Sequence, residues 1–150
     1  MKVTVEQQEV SLYLGGAFAF VFDSKGQILI LREDDKHRKY DWDLPGGKLQ
    51  NEEPPLDGLY REVKEETGLS IELLDSLCYL KWDRHSSGYP ILVAFYLARS
   101  ISNGLQLSKE HVSFRWVNRD VLRQESIQLP PGQHIVDAIF QHYTNLPYEV

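Results

Sequence analysis

The chain has 150 residues, 42% of them hydrophobic and 25% charged, with a formal net charge of −6 at pH 7. These figures are typical of one globular domain and exclude a disordered or collagen-like chain. We expect neither a membrane span nor a secretory leader, because no apolar stretch of the required length occurs. The single cysteine, Cys78, excludes an internal disulfide and favours a cytoplasmic location. Duplex nucleic acid is not expected as a partner, because phosphate binding needs a basic surface.

The predicted elements mix strands and helices in chain order. Two apolar segments, 15–22 and 27–31, flank a turn sequence and predict a hairpin. A polar loop is predicted over 32–43 and is followed by a Pro-Gly-Gly turn. After an acidic helix, the predicted elements are strands 71–82, 91–100 and 113–117, a helical turn at 120–124 and a last helix at 132–143. Together they predict a single α+β domain over residues 1–150, with a mixed and mostly antiparallel sheet between helices in an α/β/α sandwich.

Most of the negative charge lies in the acidic helix. Residues 51–66 hold six acidic and two basic side chains, which leaves −4 of the total −6. The helix is predicted to begin at the proline pair 54–55, to end before Gly68 and to bury one apolar stripe. Gly58 in its interior costs about 0.5–1 kcal/mol relative to alanine, so we expect close packing there to offset the cost.

Three carboxylates of this helix share one predicted face. Glu62, Glu65 and Glu66 are spaced i, i+3 and i+4, on a face that points away from the apolar stripe. They repel one another and lie near the helix C-terminus, where the helix dipole disfavours negative charge. An arrangement that is locally unfavourable predicts a functional site, here oxygen ligands for a hard cation. The alternative is an acidic face that is simply solvated.

The same segment matches a known signature. From Gly47 to Leu69 the chain fits the Nudix box, G-x5-E-x7-R-E-U-x-E-E-x-G-U with U a bulky aliphatic residue, at all nine specified positions. It also resembles the Nudix (MutT-like) hydrolases in the W-x-L-P-G-G segment before the box and in the later Trp116-Val117 strand. The resemblance implies a Mg²⁺- or Mn²⁺-dependent hydrolase of a nucleoside diphosphate linked to another group, with the box forming a strand-loop-helix.

The resemblance also implies roles for individual residues. Arg61 would orient a catalytic glutamate and pair with Glu53, and Gly47 lies beside them without binding the metal. The general base is either a glutamate of the box or Glu110, which precedes Trp116, and both assignments stay open. The implied metal ligands are Glu62, Glu65, Glu66 and the carbonyl of Gly46, and Glu62 and Glu66 are also catalytic candidates.

Residues outside the box are candidates for substrate recognition. Basic side chains before the Pro-Gly-Gly turn can reach phosphates, and an aromatic ring can stack on a base. The segment 129–133 resembles the stretch in which some MutT-like enzymes place an amide that reads the base, which implies this role for its last residue. The alternatives are that the basic side chains belong to a solvated loop, that the aromatic ring packs in the core and that the amide is an ordinary surface group. The candidates are Arg32, Arg38, Lys39, Trp42 and Gln133. The five histidines form no spaced cluster, so zinc is not predicted.

We expect a single small domain with none added, and this favours a nucleoside triphosphate as substrate, hydrolysed to monophosphate and pyrophosphate. ADP-ribose, a nucleotide sugar or a dinucleoside polyphosphate is the alternative substrate. The alternative to an enzyme is a module of the same fold that senses a ligand or binds a protein without turnover. The resemblance leaves a homodimer open.

Overall fold

The computed structural model describes residues 2–34 and 40–146, apart from the side chains of residues 77 and 78. The side chain of Cys78 therefore lies outside the described part. The strands are β1 (Lys2–Val5), β2 (Gln8–Ser11), β3 (Leu14–Phe22), β4 (Ile28–Glu33), β5 (Gly46–Lys48), β6 (Ile71–Arg84), β7 (Pro90–Ser100) and β8 (His111–Val117). The helices are α1 (Pro55–Thr67), α2 (Arg119–Gln124) and α3 (Gln133–Thr144).

A mixed sheet of six strands organises the described part of the chain. Its order is β6-β7-β3-β4-β8, with β5 paired to β3. The central strands β3 and β7 run parallel, from Leu14 opposite Ile91 to Phe22 opposite Arg99. The other pairs in this sheet are antiparallel. The prediction of a mixed, mostly antiparallel sheet is therefore confirmed.

Helices cover both faces of the sheet. On one face, α1 packs Leu59 and Val63 against small residues of β3. On the other face, α2 and α3 pack against Phe20, Phe22 and their neighbours. Because β3 is buried on both faces, its sequence is a continuous apolar run rather than an alternating one. The layers form the predicted α/β/α sandwich.

The predicted bounds of the acidic helix are confirmed. Pro54 is extended at the N-cap, and Pro55 occupies the first turn, where a missing N–H costs nothing. Gly68 ends the helix with φ of 72° and donates its N–H to the Lys64 carbonyl, as a left-handed C-terminal residue does. A Cβ on Gly58 would overlap Leu49 Cδ2 and lie 2.8 Å from Glu53 Oε1. The expected close packing at Gly58 is therefore present.

Two parts of the fold differ from the prediction. A hairpin of β1 and β2 precedes the sheet as a separate pair of strands, which was not predicted. Strand β4 extends to Glu33, inside the predicted loop, and pairs with a β8 that begins at His111 instead of Ser113. In the part of the chain that the structure describes, no helix combines the length and apolarity needed to cross a bilayer.

Candidate active site

Two glycines let the Pro-Gly-Gly turn lie against its neighbours. Gly46 has φ of 146°, and a Cβ there would overlap the Ala17 carbonyl oxygen of β3. A Cβ on Gly47 would lie 2.6 Å from Glu62 Cδ and within 2.9 Å of both carboxylate oxygens. The absence of side chains at these positions therefore brings β5 against β3 and the Glu62 carboxylate against β5.

Glu66 is the most enclosed of the three box carboxylates. It is 9% exposed, and the Gly46 N–H donates a hydrogen bond of 2.7 Å to its Oε1. Its Oε2 lies 3.2 Å from His111 Nε2. Burial raises the pKa of Glu66, and the contacts with His111 and Gly46 oppose that rise. The prediction that Glu66 points away from the core is wrong, because this side of α1 is covered by β5 and β8.

His111 is a buried member of the site that the sequence prediction missed. Its side chain is 3% exposed, and its Nε2 lies 3.5 Å from Glu33 Oε1 as well as close to Glu66. Its Nδ1 lies 3.0 Å from the Ser108 hydroxyl. The neighbouring carboxylates, Glu66 foremost, raise the pKa of His111. No local pattern marks this histidine, since its carboxylate partners come from β4 and α1.

Arg61 connects three carboxylates of the box. Its Nε lies 2.7 Å and its Nη2 2.9 Å from the two oxygens of Glu53. Its Nη1 donates to Glu62 at 2.9 Å and to Glu65 at 3.1 Å. The bonds from Arg61 lower the pKa of Glu53 to about 2. Burial raises the pKa of Glu62, and Arg61 opposes that rise. The expected pairing of Arg61 with Glu53 is therefore present.

The candidate metal ligands are engaged with protein partners. Within residues 2–34 and 40–146, no three His, Cys, Asp or Glu side chains are grouped as a ready metal site. Arg61 holds Glu62 and Glu65, whereas Glu66 turns to His111. The donors nevertheless fit a hard divalent cation, because carboxylate and carbonyl oxygens are the ligands that such ions prefer. A cation would therefore compete with Arg61 for part of this set.

Of the remaining catalytic and phosphate-binding candidates, the structure describes Glu110 and Arg32. Glu110 is exposed in the turn before β8, next to the buried His111. Arg32 is exposed on β4. Arg38 and Lys39 lie outside the described residues.

The two candidates for base recognition lie on elements other than the box. Trp42 is half-buried against the core on the α3 side, and the guanidinium of Arg115 lies 5.8 Å from its ring centroid. Gln133 begins α3 and donates from its amide to Asp137 at 3.0 Å. Both side chains therefore already have partners within the protein.

Comparison with known proteins identifies the family. The model of the NUDIX domain matches residues 12–139. An 8-oxo-dGTP diphosphatase from Proteus vulgaris is 37% identical over 71 residues, which cover 45% of this chain and 59% of that protein. A putative nudix hydrolase 1 from Caenorhabditis elegans is 28% identical over 141 residues, which cover 89% of this chain and 37% of that protein. The chain thus spans less than two thirds of the length of these curated relatives.

The fold comparison agrees with the family model. The crystal structure of a MutT protein from Methanosarcina mazei Go1 matches with a TM-score of 0.71 and 24% identity, over 90% of this chain and 97% of that one. At this identity the match shows a shared fold. Because the family model covers most of the sequence and named hydrolases are among its relatives, the chain belongs to the Nudix hydrolase family.

Proposed function

We propose that this protein hydrolyses a nucleoside triphosphate to the monophosphate and pyrophosphate, with Mg²⁺ or Mn²⁺ as cofactor. The observation that carries the proposal is the buried Glu66 carboxylate, which lies against Gly46 beside the acidic cluster of the box. The triphosphate is favoured by the similarity to the Proteus vulgaris protein, whose name describes an 8-oxo-dGTP diphosphatase. Membership of the family supports the reaction class, and it also supports the cofactor, since Nudix hydrolases generally use divalent metal ions.

The charge of the site explains why a cation has to accompany the substrate. Arg61 brings one positive charge to three carboxylates, those of Glu53, Glu62 and Glu65. A triphosphate that approaches this excess of negative charge is repelled. A divalent ion held by these carboxylates would supply the missing positive charge, and when bound it would stabilise the charge that develops on the leaving phosphate and lower the pKa of a bound water.

Each proposed ligand has a structural reason to be where it is. Glu62 lies against Gly47 because that residue has no side chain. The N–H of Gly46 holds Glu66 by a hydrogen bond. The carbonyl oxygen of the same glycine is a further proposed ligand. Glu65 is 58% exposed and is held by Arg61 alone among the described contacts. Of the proposed ligands, Glu65 is therefore the carboxylate that can turn most freely towards an ion.

Two glutamates are candidates for the general base. Glu66 has a pKa raised by burial, which suits a group that accepts a proton. Glu110 is exposed beside the site and has room to approach a substrate. Because general-base catalysis contributes about 10²–10⁴-fold, replacing the true base with glutamine should lower kcat by about 100-fold or more.

One experiment tests the reaction and its residues. Purified protein with Mg²⁺ or Mn²⁺ is incubated with nucleoside triphosphates, ADP-ribose, nucleotide sugars and dinucleoside polyphosphates, and the products are separated by ion-exchange chromatography. We expect a triphosphate to release pyrophosphate and EDTA to abolish the reaction. Glu66→Gln and Glu110→Gln should lower kcat while the protein stays folded, and Glu72→Gln serves as a control because its carboxylate pairs with Arg99 on the surface.

The possible results separate the alternatives. Hydrolysis of ADP-ribose without hydrolysis of any triphosphate would overturn the substrate assignment. Near-wild-type turnover by Glu110→Gln would remove Glu110 from the mechanism. A folded protein that hydrolyses no compound of the panel would contradict the catalytic proposal and favour a ligand-sensing module of the same fold.

A further inference from the structure

We propose that His111 is a positioning residue that fixes the Glu66 carboxylate for binding of the divalent cation. This inference rests on the proposed function, because it assigns Glu66 to the metal site. His111 would act through Glu66 and would touch neither the ion nor the substrate. Its role would therefore be to hold the ligand in one orientation.

The two oxygens of Glu66 are held from two different strands. Oε1 accepts the Gly46 N–H of β5, and Oε2 lies 3.2 Å from His111 Nε2 of β8. Strand β5 is anchored because Gly46 pairs with Phe18 in β3. Strand β8 is anchored along β4. A carboxylate that is held at both oxygens cannot rotate about its terminal bond without losing a contact, so its plane is fixed.

The imidazole is itself oriented by Ser108. The Ser108 hydroxyl lies 3.0 Å from Nδ1, so that Nε2 faces Glu66. The Ser108 N–H also donates to the Glu66 carbonyl oxygen at 2.9 Å, and the His111 N–H donates to the Ser108 carbonyl at 3.2 Å. The three residues therefore form a closed ring of contacts that joins the end of α1 to the start of β8.

Glu33 completes the enclosure of the histidine. Its Oε1 lies 3.5 Å from Nε2, and the strand register changes between Arg32 and Glu33 so that Glu33 comes opposite His111. A β-bulge of this kind re-aims a side chain. The His111 side chain is 3% exposed, so water does not replace these contacts. Groups that orient metal ligands in this way usually contribute about 10–100-fold to metal affinity or activity.

The test compares three variants of the full chain. His111→Ala removes the donor, and His111→Gln restores an amide donor close to the position of Nε2. His142→Ala is the matched control, because His142 also pairs with a carboxylate, Asp75, at 2.7 Å but on the surface. Mn²⁺ affinity is measured by calorimetry without nucleotide, kcat and KM are measured with the substrate that the panel identifies, and folding is checked by thermal melting.

We expect His111→Ala to weaken Mn²⁺ binding and to lower kcat, each by about 10–100-fold, with KM for the nucleotide changed by less than about threefold. His111→Gln should recover at least half of the logarithmic loss, and His142→Ala should match the wild type. If His111→Ala lost Mn²⁺ affinity and kcat only because it folds less stably, a His111→Gln protein with the same melting temperature as His111→Ala would not recover them.

Two outcomes would overturn the inference. The first is a folded His111→Ala protein with wild-type Mn²⁺ affinity and kcat. The second is a His111→Gln protein that is as impaired as the alanine variant although it melts like the wild type. If His111→Ala does not fold, Ser108→Ala is tested in its place. We expect Ser108→Ala to weaken Mn²⁺ binding several-fold. Wild-type Mn²⁺ affinity in this variant would contradict the proposal that the ring of contacts orients Glu66. A wild-type protein that binds no Mn²⁺ and hydrolyses nothing would instead refute the proposed function itself.

Discussion

Gly58→Ala tests whether packing or helix propensity has the larger effect at this position near the start of α1. Alanine is the better helix former, so on an exposed helix this change would stabilise the protein by about 0.5–1 kcal/mol. In this structure the new Cβ would overlap Leu49 Cδ2 and would lie 2.8 Å from Glu53 Oε1. Glu53 cannot move freely, because Arg61 holds both of its oxygens.

The two effects oppose each other, and their magnitudes give the sign. An extra methyl group in a tightly packed site costs about 1–3 kcal/mol. Subtracting the gain in helix propensity leaves a net loss of about 1 kcal/mol in the free energy of unfolding. The loss should be measurable in urea unfolding as a lower midpoint with an unchanged m value.

A double-mutant cycle with Leu49→Ala isolates the cause. Truncating Leu49 removes the side chain that the new Cβ would overlap. In that background Gly58→Ala should cost at least about 0.5 kcal/mol less than in the wild type, since contacting residues show couplings of this size. Stabilisation by Gly58→Ala in the wild-type chain, or equal effects in both backgrounds, would refute the packing argument.

Two further predictions concern residues outside α1 that contact its side chains, Gly47 beside Glu62 and Glu53 beside Arg61. Gly47→Ala should lower kcat by about 100-fold with little change in melting temperature, because the new Cβ would displace the flexible Glu62 carboxylate. Misplacement of a catalytic group by about 1 Å is enough for a loss of this size. Unchanged kcat would show that the position of Glu62 is not critical. For Glu53, Arg61 lowers the pKa from 4.5 to about 2, so its charge stabilises the fold above pH 4.5 and this contribution is lost towards pH 2. The difference in unfolding free energy between wild type and Glu53→Gln should shrink over that range, and a constant difference would contradict the assignment.

Features that depend on local chemistry could be predicted from the sequence. The ends of α1 follow from Pro54, Pro55 and Gly68, each of which has a conformational preference independent of the rest of the chain. The close packing at Gly58 could be predicted as well, because an interior glycine has a cost that something must offset. The arginine of the box was expected to pair with Glu53, and the two are joined by two hydrogen bonds.

Features that depend on distant pairing could not be predicted in the same way. The parallel pairing of β3 with β7 joins residues 77 positions apart, such as Leu14 and Ile91, and nothing in either segment specifies its partner. The hairpin of β1 and β2 turns at Glu6 and Gln7, both at positive φ, without the glycine or asparagine that usually marks such a turn. The role of His111 needs the β4–β8 register and the end of α1 together, so a pattern along the chain contains no sign of it.

The same distinction applies to the charge of the site. The sequence shows that carboxylates accumulate in one segment, but only the fold shows which cations the protein itself supplies. Arg61 and His111 together contact five carboxylates, so even with both of them protonated a net charge of −3 remains. The excess is most unfavourable at Glu66, where burial raises the pKa and water screens least. A divalent cation would remove most of this excess, so the electrostatics that make the unbound site unfavourable are the same ones that favour metal binding.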